Sequence, residues 1–318
     1  MLVSIASLCH PTYMQEPVEL RKPGQSITEY VTSELNARAE YVRRKIRIAA
    51  EAATKDKTGA GCLFFTLPEL FWNIPWREVK SEEELQELTT AYLDKVSESV
   101  SSLVEDLPIE RYGKVVVLAG SCATLIKVGE GESSYHEAIN YLLVIANKDF
   151  DFSSTLISMW PRRHISGIDF GPHVGYETGF WYFKLSGEFV VKVRETSSVS
   201  AEFSYHDDYS EDFFTNSQVD GCPFGINLSL DYDLVKKGQR DEEIEIPEVK
   251  LDFLIACGMP FSDYRKYPLA VQYAIRNDGM GNGECEVVKV ENGVMGADVP
   301  ALEIDGNIYL SEVRIVGR

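Results

Sequence analysis

The chain has 318 residues, 44% of them hydrophobic and 25% charged, a balance that provides ample core and excludes a disordered or fibrous chain. Lys and Arg total 31 against 50 Asp and Glu, a formal charge of -19, so a nucleic-acid backbone would be repelled and nucleic acid is excluded as a partner. Six cysteines without a Cys-x-x-Cys pair and five histidines without His-x-x-x-His spacing argue against a metal centre and a dense disulfide framework; a reducing compartment, no metal and no cofactor are expected.

The apolar run Leu2 to Cys9 reads as a first core strand, too short to span a membrane and without the basic leader of a signal peptide. A cytoplasmic protein is therefore expected, with export by a route lacking a cleaved signal left open. Ser26-Ile27-Thr28-Glu29 has the form of a capping box, and a long helix should follow, with Val31, Leu35, Val42, Ile46 and Ala49 on its buried stripe and Arg43, Arg44 and Lys45 facing elsewhere. After Lys55-Asp56-Lys57-Thr58-Gly59 the run Gly61 to Leu67 reads as a strand ending in Pro68-Glu69. A second box, Ser81 to Glu84, opens a helix with Leu85, Leu88, Tyr92, Val96 and Leu103 inside, and residues 114–119 form a buried strand. Paired strands are expected over Ala138–Ala146, Thr155–Trp160, Phe180–Leu185 and Glu188–Val193, the last two joined by a turn at Ser186-Gly187. A strand at Leu251–Gly258, a helix around Tyr267–Arg276 and strands near 285–291 and 307–315 complete the chain. The acidic runs Glu82-Glu83-Glu84 and Asp241-Glu242-Glu243 read as solvated faces, and Gly279 to Gly283 as a flexible loop. This order fits two sheets packed face to face with helices outside.

Residues 222–233, Cys-Pro-Phe-Gly-Ile-Asn-Leu-Ser-Leu-Asp-Tyr-Asp, are a short apolar run that ends abruptly at Ser229 and Asp231. A buried strand of this kind delivers its last side chains to the sheet's carboxyl edge, and Glu69 arrives in the same way at the end of its own strand, so the two ends can share one pocket. These runs resemble those of the nitrilase or carbon-nitrogen hydrolase superfamily, in which one strand ends in Pro-Glu and a later one reads roughly Gly-x-x-Ile-Cys-x-Asp. Gly225, Leu228 and Asp231 match the second element, but Ser229 stands where the family has its cysteine. The nearest stretch to the family's Lys-x-His-Leu is Pro161-Arg162-Arg163-His164-Ile165, with Arg162 at the lysine position and Arg163 as the fallback.

The resemblance implies an α/β fold, a four-layer αββα sandwich forming a single domain over residues 1–318, with homo-oligomers common. It also implies a hydrolase of small amides or nitriles in which Glu69 is the base, Arg162 the oxyanion partner and Ser229 the nucleophile. Trp72, Arg163 and Asp231 are the candidate substrate contacts, with Trp76 and Trp160 as further aromatic walls. Both departures weaken that chemistry. Serine has no thiolate reserve at neutral pH and needs a base touching it throughout attack. Arginine stabilises an oxyanion but cannot return a proton, and by clamping Glu69 it should lower that carboxylate's pKa. The alternatives are a noncatalytic binding or scaffold protein on the same fold, an introduced Ser229 in place of a native cysteine, and an inert core hydroxyl. Cys62, Cys222 and Cys257 read as buried hydrophobes, Cys222 standing about 20 Å from Ser229 at strand rise. His206 beside Asp207 and Asp208 reads as a solvated loop.

Overall fold

Parallel strands need crossovers, and the two long helices supply them at the front of the chain. In the computed structural model, which describes residues 1–14, 16–55, 61–147, 157–197, 219–234, 249–262 and 265–317, β1 (Leu2–Leu8), β2 (Cys62–Thr66) and β3 (Lys114–Val128) lie side by side in parallel. Helices α1 (Ile27–Thr54) and α2 (Glu82–Ser101) make the connections. Strand β4 (Tyr135–Ala146) turns back antiparallel on β3, and β5 (Ile157–Arg162) pairs antiparallel with β4. An extension follows: β6 (His173–Glu177), β7 (Phe180–Ser186) and β8 (Phe189–Arg194), with the β7–β8 hairpin turning at Ser186-Gly187. A second sheet comprises β9 (Phe224–Leu228), β10 (Leu251–Ala256), β11 (Tyr273–Asp278), β12 (Glu284–Glu291) and β13 (Val294–Asp298). Last, β14 (Ala301–Glu303) and β15 (Ile308–Arg314) return to the first sheet, β15 running antiparallel to β1.

Helix α1 starts where both arms of its capping box close: the Glu29 amide donates to Ser26 Oγ at 3.2 Å and the Ser26 amide to Glu29 Oε2 at 3.1 Å. At α2 only half of the box forms. Ser81 Oγ accepts from the Glu84 amide, while the Glu84 carboxylate turns to the Lys80 amide and to Arg21. The stripe Val31, Leu35, Val42, Ile46 and Ala49 is buried as its spacing predicts, but Lys45 is buried too. Its long stem crosses the helix edge so that Nζ reaches Asp305 Oδ2 at 2.7 Å.

Alternation along the strands divides the core. On β2, Leu63 and Phe65 face the helices, while Cys62 and Phe64 face the second sheet. Phe64 packs against Phe224 and Phe253 with ring centres 5.1 and 5.3 Å away, which fixes sheet on sheet. Each such fully buried ring contributes about 1.5–3 kcal/mol. The architecture is thus mixed α/β, with helices on one sheet and that sheet on another.

The outer face of the second sheet carries Leu254 and Ala256, and among the described residues the only helix against it is the single turn Asp231–Leu234, whose Tyr232 packs on them. The helix expected over Tyr267–Arg276 is not there. Residues 273–278 are instead the extended strand β11, held between parallel β10 and antiparallel β12, with Ile275 turned to the inter-sheet core and Ala274 to the outer face. Ladder bonds on both edges outweigh a weak local helical pattern. Thr155, the acidic run Asp241-Glu242-Glu243 and the trio His206, Asp207 and Asp208 lie outside the described residues.

A fully reduced set of cysteines is also not what the structure contains. Cys9 and Cys285 form a disulfide, with Cα atoms 6.1 Å apart, whereas Cys62, Cys122, Cys222 and Cys257 are free and buried. No helix among the described residues is long and apolar enough to cross a membrane.

Candidate active site

The carboxyl ends of β2 and β9 meet across the interface of the two sheets. Just past β2 the Glu69 amide donates to the Ala256 carbonyl of the second sheet at 3.3 Å, and the next residue, Leu70, takes a left-handed φ of 60° with its amide on Ser121 Oγ at 3.0 Å. Opposite this turn, Gly120 (φ 68°) interrupts the register of β3. A Cβ there would stand 2.5 Å from the Pro68 carbonyl, so only glycine lets the Pro68-Glu69 turn lie this close. Helix α1 braces the far side: buried Arg38 donates to the Phe71 carbonyl and, at 2.8 Å, to that of Asn73.

Ser229 follows β9 immediately, in the left-handed region at φ 40°, before the helical turn Asp231–Leu234. Serine seldom adopts such a backbone, and a strained strand-to-helix turn is how a nucleophile is pushed out of a sheet. Its hydroxyl donates to Glu69 Oε2 and accepts from the Cys257 amide at 3.1 Å. Arg162, the last residue of β5, places Nη1 2.7 Å from Glu69 Oε1 and 3.0 Å from Asp169 Oδ1. Asn140, which faces Arg162 across the β4–β5 register, adds Nδ2 to Glu69 Oε1 at 3.0 Å. Asp169 is held by the amide and hydroxyl of Ser166 at 2.8 and 2.7 Å.

Glu69, Arg162 and Ser229, distant in sequence, therefore share one hydrogen-bonded cluster. Arg162, not Arg163, supplies the guanidinium. The side chains of Glu69 and Arg162 are 0% exposed and that of Asp169 is 2%. Burial pushes the Glu69 carboxyl above its usual range; Arg162 pulls against that rise and the charge of Asp169 adds to it. The expected lowering by arginine thus loses to desolvation, because a single guanidinium is divided between two carboxylates. For Arg162 burial opposes the charge, but Asp169, Glu69 and Asp231 more than offset it and raise its pKa.

Three expected substrate contacts have other roles. Trp72 is enclosed in the helix-side core, its indole Nε1 on the Ala119 carbonyl at 2.6 Å and its ring against Phe71. Asp231 is occupied by the chain itself, accepting the amides of Arg163 and His164 at 2.8 and 3.1 Å and His164 Nδ1 at 2.8 Å. The Arg163 amide is one arm of that clamp. Asp231 and Arg163 together set the chain direction after Arg162, which is a positioning role. Trp160 is buried in the inter-sheet core. Trp76 borders open space. Its Nε1 donates to the Asp169 carbonyl at 3.2 Å, and it lines a cavity of about 80 Å³ with Thr12, Tyr13, Met14, Leu70 and Asp169. Ser229, Glu69 and Arg162 do not line that cavity, which stops at Asp169 and Leu70.

Cys257, whose amide bonds Ser229 Oγ, is not poised as a thiolate. Burial pushes its pKa far above the usual thiol range, and the nearby charge of Glu69 pushes the same way. Among the described residues no group of His, Cys, Asp and Glu side chains could hold a metal ion. Asp169 and Asn140 were missed in the sequence. The Ser166-Gly167-Ile168-Asp169 turn directly after β5 was a usable signal for the first, whereas the second emerges only from strand register.

No protein-family model matches the chain, and no curated protein does. Solved structures that match include the crystal structure of a glutamine-dependent NAD(+) synthetase from Cytophaga hutchinsonii, at 10% identity and a TM-score of 0.38. The match covers 99% of this chain and spans 43% of that one. A likeness this low carries no argument about fold or activity.

Proposed function

We propose that this chain is a carbon-nitrogen hydrolase-type protein whose catalytic position has become a closed ion network, so that it serves as a noncatalytic binding or scaffold protein. The observation that carries this reading is the guanidinium of Arg162, fully buried between Glu69 and Asp169. Attack on an amide or nitrile carbon needs an open approach to the nucleophile at about 3–3.5 Å and a cation aimed at the developing oxyanion. Ser229 Oγ is already donor to Glu69 and acceptor from Cys257, and Ser229 is 3% exposed. Arg162 Nη1 is shared between two carboxylates. The single-domain, four-layer sandwich belongs to this proposal, as does the prospect that the cavity beside Asp169 takes a small amide or a carboxylic acid.

A second reading keeps hydrolysis, and the left-handed backbone of Ser229 favours it. In that case Glu69, with its raised pKa and direct contact to the hydroxyl, takes the serine proton as the acyl-enzyme forms. The two readings separate on Ser229→Cys exposed to a panel of small amides and nitriles, followed by intact-mass spectrometry. The noncatalytic reading expects no acyl adduct, and a covalent adduct mapped to position 229 overturns it.

A further inference from the structure

Trp76 forms one wall of the cavity beside Asp169, and the residue that follows it stands at the cavity's mouth. The two open the single turn Trp76–Glu78, closed by the Glu78 amide on the Pro75 carbonyl and the Val79 amide on the Trp76 carbonyl, each at 3.0 Å. The indole is fixed twice more, by its bond to the Asp169 carbonyl and by the Phe170 ring 5.1 Å away. Around it the walls are apolar. Leu70, Ile74 and Leu185 are buried core side chains, and Ile168 comes from the turn that Ser166 and Asp169 hold. The cavity is therefore preformed, and its volume of about 80 Å³ admits roughly five to eight water-sized groups.

Two polar residues of the walls are engaged inside the protein. Asn73 exchanges hydrogen bonds with the Ala123 backbone at 2.7 and 2.9 Å, and the Asp169 carboxylate is turned to Ser166 and Arg162. Arg77 is held less firmly. Its guanidinium pairs with Glu16, and the two side chains are 46% and 74% exposed, so solvent weakens the pair and lets it exchange. Arg77 also lines the open groove outside the cavity with Lys80, Glu82 and Glu188, which places it between the apolar interior and solvent. The two acids of that groove face His136 and Lys184.

We propose that this cavity binds the anion of a short aliphatic carboxylic acid. Its tail, of about three to five carbons, lies among Leu70, Ile74, Trp76, Ile168 and Leu185, and its carboxylate takes the place of Glu16 on Arg77. The inference rests on the binding-protein reading above and narrows its ligand from an amide or an acid to an acid. A carboxylate accepts two parallel guanidinium N–H bonds, whereas a primary amide offers one acceptor oxygen and an NH2 group that can only donate. At the mouth the head group keeps its contact with water, so no charge is carried into the apolar interior, where desolvation would oppose binding.

Saturation-transfer NMR on the full chain tests it, with the straight-chain acids from acetic to octanoic and the matching primary amides titrated at neutral pH. Binding of the acids should tighten about four-fold per added methylene and level off once the tail exceeds about five carbons. At each length the acid should bind roughly five- to ten-fold more tightly than its amide. Arg77→Gln should bring the acid down to the amide and leave the amide unchanged, while Ile168→Trp fills the cavity and should abolish binding of both. If Ile168→Trp does not fold, the length series and Arg77→Gln decide. No saturation transfer from any acid at about 10 mM, equal binding of acid and amide, or tightening that continues unbroken to octanoic acid would each overturn the site. None of these results touches the noncatalytic reading, which fails on a different readout, ammonia released from the amides.

Discussion

Replacing Arg162 by leucine removes the cation between Glu69 and Asp169 and keeps an apolar stem of similar length. Both carboxylates then remain buried, with their oxygens 2.7 and 3.0 Å from the place Nη1 had occupied. Breaking a buried pair by deleting one partner costs about 3–5 kcal/mol, because the remaining charge is stranded without solvent. That range should apply at pH 7.5, and the loss should be smaller at pH 4.5. Glu69 has a folded pKa already raised by burial, and losing Arg162 raises it further, so the carboxyl accepts a proton in mildly acidic solution and one stranded charge disappears. Urea unfolding followed by tryptophan fluorescence at both pH values gives the two losses. A cycle with Glu69→Gln should return a coupling of about 0.5–3 kcal/mol between positions 69 and 162. A loss below about 1 kcal/mol at pH 7.5, the ordinary cost of a surface pair, would refute the assignment of Arg162 to a buried network.

Glu69→Gln tests the pH linkage by itself. The folded pKa of Glu69 lies above its unfolded value of about 4.3, so the folded state holds the proton longer and wild-type stability falls as pH rises through that interval. The stability of wild type relative to Glu69→Gln should therefore decline with rising pH, and a relative gain would contradict the raised pKa. Asp231→Ala leaves the amides of Arg163 and His164 without their acceptor, and thermal or urea unfolding should register a loss of about 1–3 kcal/mol, with Asp231→Asn recovering part of it. Opening the Cys9–Cys285 link, which bridges a sequence separation of 276 residues, should lower stability by about 2–5 kcal/mol in urea titrations with and without reductant.

How much of this could be read in the sequence depends on the distance over which each feature is encoded. The strand ends at Glu69 and Ser229 were legible because an apolar run that stops at a polar residue is a local pattern, although the two ends belong to different sheets and meet across their interface. The helix starts at Ser26 and Ser81 were legible for the same reason, since caps are written within four residues. Arg162 could be placed only as one of two neighbours. What decides between them is the β4–β5 register, which sets Asn140 opposite Arg162 and is invisible along the chain. Asn140 was missed on the same grounds. The Tyr267–Arg276 misreading has a related origin: the ladders to β10 and β12 that make residues 273–278 extended come from distant segments. Lys45 and the Cys9–Cys285 link depend on where the C-terminal strands fold back, which no local spacing reveals.

On the noncatalytic reading proposed above, Ser229, Glu69 and Arg162 form a sealed electrostatic cluster and not a working nucleophilic centre. The most direct measurement is ammonia release by the unmodified protein, oxidised and reduced, across a series of primary amides and nitriles of increasing size. Release should stay at the buffer rate for every compound in both redox states. Turnover above that rate that disappears in Ser229→Ala would contradict it and return the chain to the hydrolases.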